Sequence, residues 1–374
     1  MDSLLKTPNN QNSNEIWSYT LNQTLLILVF FILLLIIRII RMLLTKKIKK
    51  FIDLHLHLDG AITLDIAKKL AALQNIELPK KTDRELQAIL SVQENCESLT
   101  HFLECFKVPL SLLQTREGIR EAVRLVADNI QSDGVVYAEI RFAPQLHKNK
   151  GLSQEDAINA ALEGIKLTSL KVNLILCFMR GDDNDAENEE TLELAYKYLV
   201  KDGGVVAVDL AGAEALYSTS DYKELFEKVK NHNIPFTIHA GEADGADSVR
   251  AAIEFGAKRI GHGTRAFEDE KVVELIKNKG IFLEMCYTSN IQTHALKDMK
   301  KFPFMDYLKK GIKVTLNTDD MGIEGTTLSK EFALMERDFK LSYEKEKIIL
   351  ANSIDAAFTT DLIKAKLKKE LRVY

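Results

Sequence analysis

The sequence predicts one α/β domain, a (β/α)8 barrel with extra helices after its first strand, preceded by one N-terminal hydrophobic helix. Three observations predict it. Downstream of Lys50, eight short β-branched runs alternate with longer amphipathic stretches, a pattern that closes into a parallel sheet wrapped in helices. The runs are mostly continuous in apolar character, as strands buried on both faces are. Four of the eight histidines fall at the carboxyl ends of these runs, where barrels of this class collect their reactive groups.

Taken from the N-terminus, residues 1–24 form a polar tail rich in Asn, Gln and Ser. Residues 25–37 are uninterrupted apolar, and the apolar character extends to residue 44 around Arg38 and Arg41. A stretch over residues 25–44 is long enough for a spanning helix, which needs about 20 residues. A cleaved signal peptide carries its basic residues before the apolar run; here the basic cluster Lys46-Lys47-Ile48-Lys49-Lys50 follows it. That bias favours an anchor with its N-terminus outside and the following domain in the cytoplasm. A start of translation at Met42 would instead yield the same domain without an anchor.

The candidate strands are 51–55, 135–142, 172–178, 205–210, 236–239, 259–261, 281–285 and 313–317. Helical patterns lie between them at 153–166, 189–200, 220–231, 247–255 and 268–279, and residues 60–134 hold several further helices. No repeat or low-complexity linker divides residues 51–374, so they are expected to be one catalytic domain. The chain has 374 residues, 46% of them hydrophobic, enough for a large core.

Charge narrows the partners. Residues 1–50 carry seven Lys/Arg and two Asp/Glu, a balance of +5, so the remainder of a chain of net charge −4 carries −9. An acidic main body argues against a nucleic-acid partner, which needs a basic surface. The four cysteines, Cys96, Cys105, Cys177 and Cys286, form no C-x-x-C pair and read as buried reduced thiols.

The strand ends carry the chemistry. Period-two spacing puts His55 and His57 on one side of strand one. His239 ends strand five and Asp319 ends strand eight, so all four can face one ion at the barrel mouth. Three imidazoles and a carboxylate suit a Zn²⁺ with one position left for water. Each residue alone has a plain alternative: a polar strand end for His55-Leu-His57, a satisfied core histidine for His239, a helix cap for Asp319-Asp320. Their convergence on one rim is what favours a metal site. No lysine stands at the end of strand four, where a bridging carboxylated lysine would hold a second metal, and there is no H-x-E…P-C-x-x-C signature of the nucleobase deaminases.

His55-Leu-His57-Leu-Asp59-Gly60, Asp209-Leu-Ala-Gly212, His239-Ala-Gly-Glu242, Gly261-His262-Gly263 and Asn317-Thr-Asp319-Asp320, in this order, resemble the adenosine/AMP deaminase family of the amidohydrolase superfamily. Tyr137-Ala-Glu-Ile-Arg-Phe-Ala-Pro144 is similar to the family's second strand. The resemblance covers about residues 51–365. It implies one Zn²⁺ on His55, His57, His239 and Asp319, and hydrolytic deamination of a purine nucleoside. It also implies Glu242 as proton donor to N1, His262 as the group that orients the attacking water, and Asp319 as part of the catalytic centre. The substrate would lie against His57, Asp59 at the ribose 5′-hydroxyl, the Gly212 N–H at N3 and Asp320 at N7. An Asp at position 59 resembles the adenosine-specific members, since the adenine deaminases usually have Glu there. Adenosine and 2′-deoxyadenosine are therefore expected substrates. The alternatives are adenine or a modified purine, or a membrane-tethered binding protein without activity. Phe102, Leu103 and Phe106 resemble an apolar lid beside the ribose, and read equally as a core stripe. The sequence departs from the family at Tyr287 and Met321, where Pro is common, which bears on loop geometry and fine substrate preference.

Overall fold

The computed structural model describes residues 27–36, 47–92, 96 and 99–373. They fall into two units, residues 1–47 and 48–374. In the first, residues 27–36 form an α-helix of apolar side chains that are all exposed. No described helix is both long and apolar enough to cross a membrane. The polar tail 1–24 and the rest of the expected spanning segment, residues 25, 26 and 37–44, lie outside the described residues.

The second unit holds all eight expected strands: β1 Phe51–His57, β2 Val135–Phe142, β3 Lys171–Met179, β4 Val205–Ala211, β5 His239–Ala240, β6 Arg259–His262, β7 Phe282–Met285 and β8 Lys313–Leu316. β1 to β4 pair in order, as do β5 to β8, and every ladder is parallel. Two parallel bridges join these halves into a closed ring: Val208 with Phe236, and Leu56 with Asp319. At the second, His57 N–H donates to Asp319 O (3.0 Å) and Asp319 N–H to His55 O (2.8 Å). The structure is a (β/α)8 barrel.

The largest departure from expectation is β5. The sequence places a strand over 236–239, whereas the regular ladder is only two residues long. Pro235 has no N–H to give, and the segment divides its bonds. Val208 N–H donates to Pro235 O and Thr237 N–H to Val208 O on one side, while Gly261 N–H donates to Ile238 O on the other. The bonds are present but too irregular to form a longer ladder.

The helices begin where the sequence supplies caps. Thr115 caps Arg116–Ser132, and Ser153 with Asp156 forms a capping box on Gln154–Ile165. Five helices fill the span between β1 and β2 among the described residues. All four cysteines are buried and none is in a disulfide, as expected.

The barrel interior is charged. On β2, Glu139 and Arg141 point inward, and both are fully buried with Asp209, Arg259 and Glu284. Arg141 donates to Asp209 Oδ2 (2.8 Å), Glu284 Oε2 (2.8 Å) and Leu54 O (2.6 Å). Arg259 pairs with Glu139 and Glu284, and its guanidinium lies 4.1 Å from the centroid of the Phe358 ring. Buried charge is costly unless paired in this way. Here the pairs form a floor beneath the residues at the mouth.

One buried histidine outside this floor makes stability depend on pH. His147, packed on the Phe142 ring, is pushed down to about 4 by burial, against a smaller lift from a backbone bond to Leu113. Its folded value lies below its unfolded value of about 6.5. Its contribution is therefore present in full above pH 6.5 and lost as pH falls towards 4, by on the order of 3 kcal/mol. In thermal melts, His147→Gln should lose less between pH 7 and pH 4.5 than the parent does. Parallel losses would refute this assignment.

Candidate metal and catalytic site

The site is built at the carboxyl end of the barrel from the expected residues. β1 presents His55, fully buried, and His57, partly buried. His239 opens β5, His262 ends β6, and Asp319 and Asp320 follow β8. His262 and Asp319 both hold a left-handed backbone, with φ of 61° and 64°. Side chains rarely adopt this conformation, at a cost of about 1–3 kcal/mol each.

Five donor groups converge there. His55, His239, His262 and Asp319 offer ligand atoms within 4.8 Å of one another. His57 Nε2 lies 3.2 Å from His239 Nε2 and 3.4 Å from Asp319 Oδ1. His55 Nε2 lies 3.2 Å from Asp319 Oδ1. Hydrogen positions follow from the partners. His55 Nδ1 faces Glu284 Oε2 at 2.9 Å and His239 Nδ1 faces Asp209 Oδ2 at 2.9 Å. Carboxylates only accept, so each Nδ1 carries the proton and each Nε2 presents a lone pair. His55 Nε2, buried, makes no hydrogen bond. Lone pairs facing one another across 3.2 Å repel unless a cation sits among them. Ligands about 2.0–2.1 Å from a tetrahedral zinc stand about 3.3 Å apart, close to these separations. The set fits a divalent metal.

Charge in the site agrees. Burial lowers His55 and His57 and keeps them neutral, as ligands must be. Burial alone would raise Asp319, but it is held well below the usual carboxylate range, in the charged form a ligand must have. Burial would lower His239, and Asp209 lifts it instead. Asp209 and Glu284, both set in the charged floor, orient two of the imidazoles from behind, a common arrangement at metal sites.

Beside these groups stands Glu242. Its Oε1 accepts from Asn290 Nδ2 (3.3 Å) and Thr293 Oγ1 (3.1 Å), and Oε2 is 3.5 Å from His262 Nε2. Burial, with the charge of Asp319, raises it above an ordinary glutamate, as a proton donor requires. Asn290 Nδ2 also lies 3.2 Å from His262 Nδ1, while its Oδ1 accepts from Thr264 Oγ1 (2.6 Å). Asn290 so bridges the two side chains. Thr293 was not legible in the sequence; it stands one helical turn after Ser289 and carries no motif of its own.

Asp59 and Asp320 stand close to Asp319. Burial raises Asp59 to about 6. Asp320 is raised further by burial and by the charges of Asp319 and Asp59, and its Oδ1 is buried with no hydrogen-bond partner. Gly60 is dictated by Asp320, because a Cβ there would fall 1.7 Å from Asp320 Oδ1. Gly212 is exposed just past β4. Of the expected lid, Phe102 is buried with Val92, Cys96, Cys105 and Ile323, while Leu103 is 58% exposed. Tyr287 packs on Phe302 and Phe339 and donates to Asp338 (3.0 Å).

The family model described as adenosine deaminase matches residues 51–374. The chain belongs to the adenosine deaminase family. An adenosine deaminase of Haemophilus ducreyi is 46% identical over 316 residues, 83% of this chain and 92% of the relative. Among solved structures, an adenine deaminase from Arthrobacter aurescens superposes with a TM-score of 0.78 at 26% identity, covering 87% of this chain and 98% of its own. The N6-methyl-AMP deaminase of Arabidopsis thaliana gives 0.73 at 26% identity, covering 86% and 96%. Within the adenosine deaminase family, then, this chain has structural neighbours that act on a base or a nucleotide as well as sequence relatives named for the nucleoside.

Proposed function

We propose that the chain hydrolyses adenosine and 2′-deoxyadenosine to the corresponding inosine and ammonia, with Zn²⁺ held by His55, His57, His239 and Asp319. The observation that carries this is the donor set of His55, His57, His239 and Asp319, with 3.2–3.4 Å between facing atoms, beside a part-buried Glu242 whose carboxyl burial raises. The zinc would supply a water of lowered pKa at neutral pH. Glu242 delivers a proton to N1 of the purine, which makes C6 electrophilic. His262, held by Asn290, orients the incoming water and stabilises the charge that develops. Burial beside Asp319 and Asp59 raises Asp320, which favours its donating to N7. The Gly212 N–H binds N3, and Asp59 accepts from the ribose 5′-hydroxyl. Water adds at C6 and ammonia departs from it. The preference for a nucleoside is supported by Asp59 and by the 46% identity to a relative named adenosine deaminase. The test is a panel of adenosine, 2′-deoxyadenosine, adenine and AMP on the zinc-loaded protein, followed by the ultraviolet change of deamination. Turnover of adenine or AMP above the nucleosides, or no turnover at all, would overturn this reading.

Residues 25–44 are proposed to anchor the enzyme with its N-terminus outside. The support is the exposed apolar helix at 27–36 and the basic cluster that follows the apolar run. Release of the full chain from membranes by alkaline carbonate would rule the anchor out.

A further inference from the structure

We infer that Glu214, to which the reaction above gives no part, is a positioning residue that sets the location of Glu242 through the backbone. The inference rests on reading Glu242 as the proton donor. Glu214 follows β4 and is 5% exposed. Its carboxylate is surrounded by donors. Oε1 accepts from the N–H of Gly241 (2.6 Å) and from Ser248 Oγ (2.5 Å). Oε2 accepts from the N–H groups of Glu242 (3.0 Å), Ala243 (2.7 Å) and Asp244 (3.1 Å).

Four successive backbone N–H groups turned onto one anion form a nest. The turn needs the left-handed φ of 74° at Gly241, where a Cβ would also strike Val249 Cγ2 at 2.5 Å. A chain of bonds continues behind the carboxylate. Ser248 Oγ meets Thr219 Oγ1 (2.7 Å), and Arg180 donates to Thr219 Oγ1 (2.9 Å) and to His239 O (2.6 Å). The segment from His239 to Asp244 is therefore gripped at one end by Arg180 through a carbonyl and at the other by Glu214 through amides. Asn290 and Thr293 hold the Glu242 side chain from the other side. Glu214 fixes where that side chain starts.

Bonds from amides to a buried carboxylate are charge-assisted and stronger than neutral ones. Glutamine is the nearest isostere, but it brings an NH2 against N–H groups that need an acceptor. The loop must then shift, and Glu242 with it. A displacement of about 1 Å at a reacting group costs about 10²-fold in rate.

The experiment uses the full-length zinc-loaded chain. Glu214→Gln and Glu242→Gln are compared for kcat, zinc content and the inhibition constant of an adenosine analogue with C–H in place of N1, which cannot take the Glu242 proton. The expected result for Glu214→Gln is a kcat about 10²-fold lower, with zinc retained and analogue affinity within about twofold of the parent. Loss of zinc or of analogue affinity alongside kcat would mean a general structural role and overturn the inference. So would an unchanged kcat while Glu242→Gln is inactive. Full activity in Glu242→Gln would overturn the proton-donor reading and this inference with it. Should Glu214→Gln fail to fold, Ser248→Ala removes only the hydroxyl bond to Oε1. It should lower kcat several-fold with analogue affinity kept, and a parental kcat there overturns the inference.

Discussion

Glu242→Gln is expected to lower kcat by about 10³-fold or more while the protein keeps its zinc and its melting temperature. General acid catalysis by one positioned group contributes about 10²–10⁴-fold. The glutamine keeps the shape and can still meet Asn290 and Thr293, but it has no carboxyl proton for N1. Zinc should stay, because Glu242 is not among the donors that face one another across 3.2–3.4 Å. Activity near that of the parent would remove Glu242 from the mechanism. Loss of zinc together with activity would show that Glu242 supports the metal instead.

Arg141→Leu should have the largest effect on stability. Arg141 is fully buried and bonds to Asp209, Glu284 and the carbonyl of Leu54. Burial opposes its charge, but Glu284 and Asp209 outweigh burial and hold the guanidinium firmly protonated. Removing one member of a buried ion network leaves the others uncompensated, at a cost of about 3–5 kcal/mol. For a domain of this size that is a fall in Tm of roughly 10 °C. A second effect follows from what Asp209 and Glu284 do next. Glu284 holds the Nδ1–H of His55 and Asp209 lies 2.9 Å from His239 Nδ1, and loss of such support typically weakens metal binding by about 10–100-fold. Melting curves and zinc competition against a chromophoric chelator read the two effects separately. A variant that melts within about 2 °C of the parent would show that the network is dispensable.

Much of this molecule was legible in its sequence because the relevant signals are local. Eight apolar runs announce eight strands. His55 and His57 share a face because a strand alternates. Glu242 and Asp320 sit in short motifs beside strand ends. Glu214 was not legible, although it lies two residues past the motif residue Gly212. Its partners are backbone amides, and every residue type except proline has one. The only clue is Gly241, which permits the turn. The charged floor was read past for a different reason. Glu139 and Arg141 alternate within a strand that otherwise looks buried, and a buried charge is credible only once its partners on other strands are known. The same alternation, applied to charge rather than to hydrophobicity, would have pointed both side chains into the ring. The shortness of β5 lies in how its backbone bonds are divided between two neighbours, which an apolar pattern does not show.

The seam of the barrel gives the site a history. Its two closing bonds run between His55, His57 and Asp319, residues of the first strand and of the turn after the last that are also the proposed ligands. A ribosome must therefore finish nearly the whole barrel before either exists. Contacts between such distant parts of a chain form late. Products that stop before Asp319 would lack the carboxylate that completes the proposed metal set. Tight metal uptake would then be confined to chains that extend past Asp319, and shorter ones would not compete for zinc.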